Sequence, residues 1–406
     1  MSSSESGVHL EKFVIPLEEI LSATQNFSKE SWISNDGVVD VYKGQLQNHT
    51  VAIDLVVPYS YLRDRHFRNQ LKIISRFHHQ NIIPFIGYCH EGNKRITVSE
   101  YAVNGGLDDH LEDPDKRRLL TWADRLKICI GAARGLEYLH SGLGNDGIVI
   151  HRNMRSLYIL LDDNLEAKIS NFYYSMLVER NQPQAYVTSV INPYYEDPVY
   201  KESGIANTEA DVYSFGLVLF EMVSGLPAYF KRRIDDNQEG ILLNLVKIYY
   251  DDGLTKLIDP YIRDDINIHS FNAFTKIAYS CISMNLNDRP TMKTIIKRIE
   301  EAQNFQVHIT LGINKDEKND QRPAYHQIEF VDGNPQHLIN LVRQYYENGP
   351  ERLIDPDIKD QIDIRSFHTF KEIAYKCISF ISSERPTMYT IINKMEHAIY
   401  FQELKM

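Results

Sequence analysis

The chain has 406 residues, of which 43% are hydrophobic and 24% charged, and its formal net charge is −11. Such a length supports a large core and two or more units, the composition is that of a soluble globular protein, and the acidic balance argues against a nucleic-acid partner. The four cysteines, Cys89, Cys129, Cys281 and Cys377, form no C-x-x-C pair, so they read as reduced thiols rather than a disulfide or zinc framework.

Residues 1–12 are polar and acidic and are expected to be disordered, with no signal-peptide pattern. Ser2 excludes the myristoylation pattern, and no run approaches the ~20 apolar residues of a membrane span. Phe13 to Phe27 has helical spacing at Leu17, Ile20, Leu21 and Ala23. Residues 33–55 read as three antiparallel strands, and Phe67 to Phe77 as a helix with Phe67, Leu71, Ile74 and Phe77 on one stripe. The adjacent His78 and His79 lack a third ligand nearby and read as loop residues. Ile96 to Tyr101 alternates like a strand. Trp122 to His140 is a long amphipathic helix, its stripe Leu126, Ile130, Ala133, Leu136 and Leu139 being core. Ile159-Leu160-Leu161 and Ala167-Lys168-Ile169 are short strands about an acidic turn, which presents polar loops into a cleft.

The run His151-Arg152-Asn153-Met154-Arg155-Ser156-Leu157-Tyr158, followed by Asn171-Phe172-Tyr173, resembles the catalytic and metal-binding loops of protein kinases, above all the plant receptor-like kinases. That family reads H-R-D-x-K-x-x-N and then D-F-G. The resemblance covers residues 13–306: Ile33 to Gly44 resembles the glycine-rich hairpin, Val51-Ala52-Ile53-Asp54 the strand V-A-I-K, and Asp211-Val212-Tyr213-Ser214-Phe215-Gly216 the buried anchor helix. It implies an α+β, two-lobed protein-kinase fold. A small antiparallel N-lobe would span about 13–103 and a mainly helical C-lobe about 104–306.

The frame survives, but the positions that would touch phosphate, metal or the transferred proton are altered. Asn153 stands at the base position between Arg152 and Arg155, and an amide oxygen is far too weak a base. Tyr158 and Asn171 stand at the two magnesium positions and offer no charge. In the phosphate roof Ser34, Asp36 and Val39 replace glycines, Asp54 replaces the lysine and Gln70 the glutamate that would pair with it. The slot that would take adenine keeps its apolar Val41, Ala52 and Leu160. Asp211 is expected to cap the catalytic-loop backbone. Arg289 needs a new partner or solvent, because Val199 replaces the glutamate it would meet. The resemblance implies ATP and magnesium, yet with base, metal ligands and lysine all changed no cofactor is expected.

Leu242 to Gln306 aligns without gaps to Leu338 to Gln402, since 338 − 242 = 96. Leu257-Ile258-Asp259-Pro260 returns as Leu353-Ile354-Asp355-Pro356, and Arg289-Pro290-Thr291-Met292 as Arg385-Pro386-Thr387-Met388. The chain is thus expected to carry a linker over 307–327 and, over 328–402, a helical repeat of the last C-lobe helices. Ile373, Cys377, Ile391 and Ile392 of that repeat carry an apolar face that must be covered by the parent lobe, a second copy or a partner. The leading reading is a catalytically impaired pseudokinase in the cytosol. Its partners would be receptor-like or other protein kinases, with recruitment to the inner face of the plasma membrane by a receptor and self-association through the repeat. The rivals are a weak or atypical ATP-dependent serine/threonine kinase and a non-functional relic. Phosphorylation of the activation segment at Thr188, Ser189, Tyr186 or Tyr194 would give Arg152 a phosphate to bind.

Overall fold

The computed structural model describes residues 10–57, 60–142, 147–187, 192–230, 240–310, 328–331, 334–337, 362–377 and 386–403. These belong to two compact units, Met1–Asn314 and Lys315–Met406. Among them, no helix is long and apolar enough to cross a membrane.

The first unit opens with a 3-10 turn at Leu10–Phe13, which corrects the expected disorder at its last residues. The Phe13 ring packs tilted against Phe85 at 5.2 Å, and the N–H of Ile15 donates to the carbonyl of Tyr88 at 2.8 Å, so the segment is tied to the sheet. Helix α1 (Leu17–Ala23) follows. Strands β1 (Trp32–Asn35), β2 (Val39–Leu46), β3 (His49–Val56), β4 (Phe85–Cys89) and β5 (Ile96–Glu100) form one antiparallel sheet in the order β1-β2-β3-β5-β4. Alternation sorts β3: Val51, Ile53 and Leu55 join Ile20 of α1 in one apolar cluster, while Val56 joins Phe67 and Leu71 in another. Asp54, two residues from Val56, therefore shares that second face with Ala52. Helix α2 (Tyr61–Ile74) begins six residues before its expected start and ends three residues before its expected end. Ser60 caps it by accepting from the N–H of Arg63. At the far end the Ser75 hydroxyl donates back to the Leu71 carbonyl at 2.6 Å.

The helical part builds on α3 (Leu107–Glu112), α4 (Pro114–Leu119) and α5 (Trp122–Ser141), the last started by a Thr121–Asp124 capping box. The short strands β6 (Ile148–Ile150), β7 (Ile159–Leu161), β8 (Ala167–Ile169) and β9 (Met176–Val178) pair as β6 with β9 and β7 with β8, and so frame the loops between them. Strand β10 (Gln184–Tyr186) pairs with β11 (Ile205–Asn207), with α6 (Pro198–Ser203) between. Helix α7 (Thr208–Ser224) is buried along nearly its whole length. Gly216 lets Cys281 approach it so closely that a Cβ there would lie 2.6 Å from the Cys281 Cβ. A two-residue ladder, β12 (Tyr229–Phe230) with β13 (Gly240–Ile241), leads into α8 (Leu242–Asp252), α9 (Ile268–Cys281) and α10 (Met292–Thr310). Trp122 of α5 donates to the Ser270 hydroxyl at 2.7 Å and meets Phe274 edge to face at 4.9 Å, which locks α9 into the core. Arg125 and Asp259 form a fully buried ion pair at 2.7 Å.

Helix α10 runs to Thr310, so the start of the expected linker at 307 is corrected; residues 311–327 lie outside the described ones. The second unit holds a hairpin that the reading of a purely helical repeat did not include, β14 (Ile328–Val331) with β15 (Asn334–His337). Two helices follow, α11 (Ile364–Cys377) and α12 (Met388–Glu403). Ile373 is buried there and Ile392 is exposed; Arg385 and the Cys377 side chain lie outside the described residues.

Candidate functional site

The cleft is roofed by the β1–β2 turn, which its own side chains hold. Gly37 takes a φ of +89°, a conformation that costs glycine nothing, and its N–H donates to the Asn35 side chain at 2.7 Å. Asp36 Oδ1 accepts from the N–H groups of Val38 at 2.9 Å and Val39 at 2.8 Å. From α2, the Arg63 guanidinium donates to the carbonyls of Val38 and Val57 and clasps the hairpin from outside.

The floor is the loop His151–Tyr158. Asp211 of α7 accepts from the N–H of His151 and of Arg152, each at 2.7 Å, and also contacts His140 Nε2 at 2.9 Å. This carboxylate holds the backbone of the loop even though Arg152 sits at φ +66°. The His151 ring is buried, faces the Ser170 carbonyl at 2.9 Å and packs edge to face on Phe172 at 5.4 Å. Burial pushes its pKa down. Arg152 donates to the Tyr174 carbonyl at 3.0 Å and the Tyr200 hydroxyl at 2.9 Å. Asn153 is buried, and its amide nitrogen has no hydrogen-bond partner.

The structure brings three sequence-distant positions together across the cleft. Asp36 Oδ2 accepts from the Tyr158 hydroxyl at 2.5 Å and from Asn171 Nδ2 at 3.2 Å. Arg155 donates to the same Tyr158 oxygen, and its guanidinium lies 4.3 Å over the Tyr158 ring. Burial holds the Tyr158 hydroxyl well above the usual phenol range, with Arg155 opposing and Asp36 adding, so it stays protonated and acts as a donor. Asn171 adopts φ +58°, a left-handed conformation that asparagine tolerates better than most residues, and its Oδ1 has no partner. Beside it Tyr173 is buried against α2 and donates to the Arg63 carbonyl at 3.3 Å.

Asp54 faces the cleft at the centre of the sheet. Burial pushes its pKa up to about 7, the Asp36 carboxylate adds to the rise, and a long hydrogen bond of 3.5 Å from Thr97 opposes it. Gln70 is buried on α2. Val41, Ala52 and Leu160 lie on β2, β3 and β7; Ala52 is buried and the other two are partly so. Ser34 pairs with Val41 across the first hairpin. Val39 opposes Val56 across the β2–β3 ladder, its side chain buried in the apolar cluster with Phe67 and Leu71. The chemistry available is thus one carboxylate, Asp36, saturated by four donors, beside a second, Asp54, whose pKa burial lifts to about 7.

Arg289 has the partner that the sequence reading left open. Asp197, two residues before Val199, receives it bidentately at 2.6 and 2.8 Å, and the Ser283 and Glu209 carbonyls complete its shell. Sequence reasoning also missed the buried Glu221, which accepts from Tyr195 at 2.6 Å and from the Ala228 N–H at 2.8 Å; burial pushes its pKa up to about 7. The run Tyr194 to Tyr200 contained the signal for Asp197, whereas nothing local marks Glu221 or Arg63. Of the expected modification sites, Tyr186 is exposed, Tyr194 stacks on Tyr229 at 4.5 Å, and Thr188 and Ser189 lie outside the described residues.

Residues 33–299 match the family described as protein tyrosine and serine/threonine kinase. A probable LRR receptor-like serine/threonine-protein kinase of Arabidopsis thaliana is 35% identical over 295 residues, 71% of this chain and 31% of that protein. A probable receptor-like protein kinase of the same plant is 34% identical over 356 residues, 86% of this chain and 40% of that one. A probable serine/threonine-protein kinase, also of Arabidopsis thaliana, is 33% identical over 298 residues, 71% of this chain and 78% of that one. The chain therefore spans between about a third and two fifths of the length of the first two.

Proposed function

The chain belongs to the protein tyrosine and serine/threonine kinase family, among relatives of the plant receptor-like kinases, and from that premise we propose that it works without phosphoryl transfer, as a pseudokinase regulator of receptor-like kinases. One observation carries this reading. The two positions where the family holds magnesium, Tyr158 and Asn171, present an O–H and an N–H, and both donate to the Asp36 carboxylate. A magnesium ion needs oxygen acceptors, with at least one carboxylate, so these residues do not fit it. Nor does the Asp36 carboxylate fit the phosphate end of a nucleotide, which would meet like charge there and, at Asp54, no lysine to offset it. Asn153, with its amide nitrogen unpartnered and no basic oxygen, does not take a proton from a hydroxyl.

What the chain retains is the frame of a kinase lobe: the Asp211-held loop, the Arg289–Asp197 clamp and the buried α7. On this reading it binds a signalling kinase in the cytosol and responds to that partner's modification of the activation segment. The test is direct. Purified protein with magnesium–ATP and generic substrates is expected to transfer no phosphate, and Asn153→Asp alone is expected to restore none. Calorimetry is expected to give no magnesium–ATP affinity tighter than about millimolar, or ~4 kcal/mol. The second reading, a weak or atypical serine/threonine kinase, draws on Asn171 Oδ1, an acceptor left without a partner that a cation could use. Micromolar, magnesium-dependent nucleotide binding would decide for it.

A further inference from the structure

Asp36 is bonded on both sides of the cleft. Its Oδ1 is held by the N–H groups of Val38 and Val39, within its own hairpin. Its Oδ2 is held by Tyr158 from the catalytic loop and Asn171 from the loop after β8, which lie 122 and 135 residues away in sequence. Arg155 brings positive charge behind the Tyr158 oxygen, polarising the O–H toward the carboxylate. Backbone N–H groups above and side-chain donors below are what a bound anion would need in a cleft of this family. Here the anion is part of the chain.

We infer that Asp36 is a built-in ligand that latches the roof hairpin to the two loops of the floor, filling the phosphate end of the cleft and holding it shut. This deepens the non-catalytic reading and rests on it: the same contact that keeps nucleotide out fixes the relation of hairpin and floor, so the closed shape is constitutive rather than ligand-induced. A partner that reads this face meets one conformation without ATP. Opening requires breaking the bonds to Tyr158 and Asn171 together, because either alone leaves the carboxylate tethered.

The test is amide hydrogen exchange on the full chain, comparing wild type, Asp36→Ala, Tyr158→Phe and the double variant. Tyr158→Phe leaves the turn bonds to Val38 and Val39 untouched. It is nevertheless expected to raise exchange across residues 33–41 about tenfold, the factor that about 1.4 kcal/mol supplies. Asp36→Ala is expected to raise exchange across residues 151–158, and the double variant to exceed Asp36→Ala by no more than twofold, because the Tyr158 bond is already lost there. If Tyr158→Phe leaves the hairpin at wild-type rates, or the two single effects multiply independently, Asp36 is only a turn-former and the latch is wrong. Because Tyr158→Phe is nearly isosteric, a folding defect does not stand in for that result. A wild-type protein that shows the coupling yet binds magnesium–ATP at micromolar concentration overturns the functional reading while supporting the latch as a contact. One that shows neither coupling nor binding overturns the latch alone.

Discussion

The two copies of the repeated segment are alike in their local hydrogen bonds and unlike in their burial. Helices α9 and α11 start and end at equivalent residues, since 268 + 96 = 364 and 281 + 96 = 377. Asn267 caps α9 by accepting from the N–H groups of His269 and Ser270, and Asp363 does the same for Arg365 and Ser366. Gln306 accepts from the N–H of Asn267 at 2.9 Å, and Gln402 from that of Asp363 at 2.9 Å. The side chains part company. Phe274 is fully buried and Phe370 is 51% exposed; Ile299 is fully buried and Met395 is 42% exposed. A helical hairpin of this sequence thus encodes its caps and cross-links within about 40 residues of chain. Ile373 and Ala398 stay buried as Ile277 and Ala302 are, but burial at the Phe274 position depends on residues elsewhere, as Trp122 shows by meeting both Ser270 and Phe274.

The sharpest test of that contrast is truncation of the paired aromatics. Phe274→Ala removes a packed ring from the core and is expected to cost about 3–5 kcal/mol in chemical denaturation, whereas Phe370→Ala is expected to cost under about 1 kcal/mol. A large loss at Phe370, or a change in oligomeric state by sedimentation, would mean that the exposed face of α11 is covered in solution. Next in size is Asp197→Asn. It weakens the bidentate partner of a buried arginine and is expected to cost about 3 kcal/mol, read as a lower melting temperature of the first unit. Smaller still are Gln306→Ala and Gln402→Ala, each removing one acceptor from a helix start. Both are expected to cost about 1 kcal/mol. Unequal losses would break the claim that the local frame is the same in both copies.

The smallest effect separates the caps by charge. Asn267 is neutral, but the Asp363 carboxyl is held down to about 2, first by its hydrogen bond from Arg365. A depressed carboxyl stabilises the folded state above its unfolded value near 4 and loses that contribution as pH falls toward 2. Lowering the pH through that window is therefore expected to raise amide exchange at the start of α11 while leaving the α9 cap bonds intact. Equal exchange at both starts would remove the distinction. Asp54 and Glu221, raised to about 7, act with the opposite sign and in another window: stability falls as pH rises from about 4 to 7. Asp54→Asn is expected to flatten part of that slope.

Much of the architecture was legible because it is periodic. The alternation of β2 and β3, the stripe of α5 and the short pair β7–β8 lie where hydrophobic spacing puts them. Helix α2 was misplaced because its first residues, Tyr61 and Leu62, point into solvent at 85% and 61% exposure and carry no stripe. A serine cap, not a hydrophobic period, starts it. In the cleft, each altered position could be recognised singly by its place in a motif. What the motifs did not contain was the bond from Asp36 to Tyr158 and Asn171, because side chains so far apart in sequence meet only once both lobes have formed. Arg289 teaches the same point at short range: a motif assigned its carboxylate to one position, and geometry supplied it from Asp197.

Asp211 has a consequence of a different kind. It grips the loop through the peptide N–H groups of His151 and Arg152, so this one hold does not depend on which side chains stand at 153, 155 and 158. The segment is a rack bolted from below, on which the side chains at 153, 155 and 158 are fittings. Chemistry can be stripped from such a rack one fitting at a time without loosening that bolt.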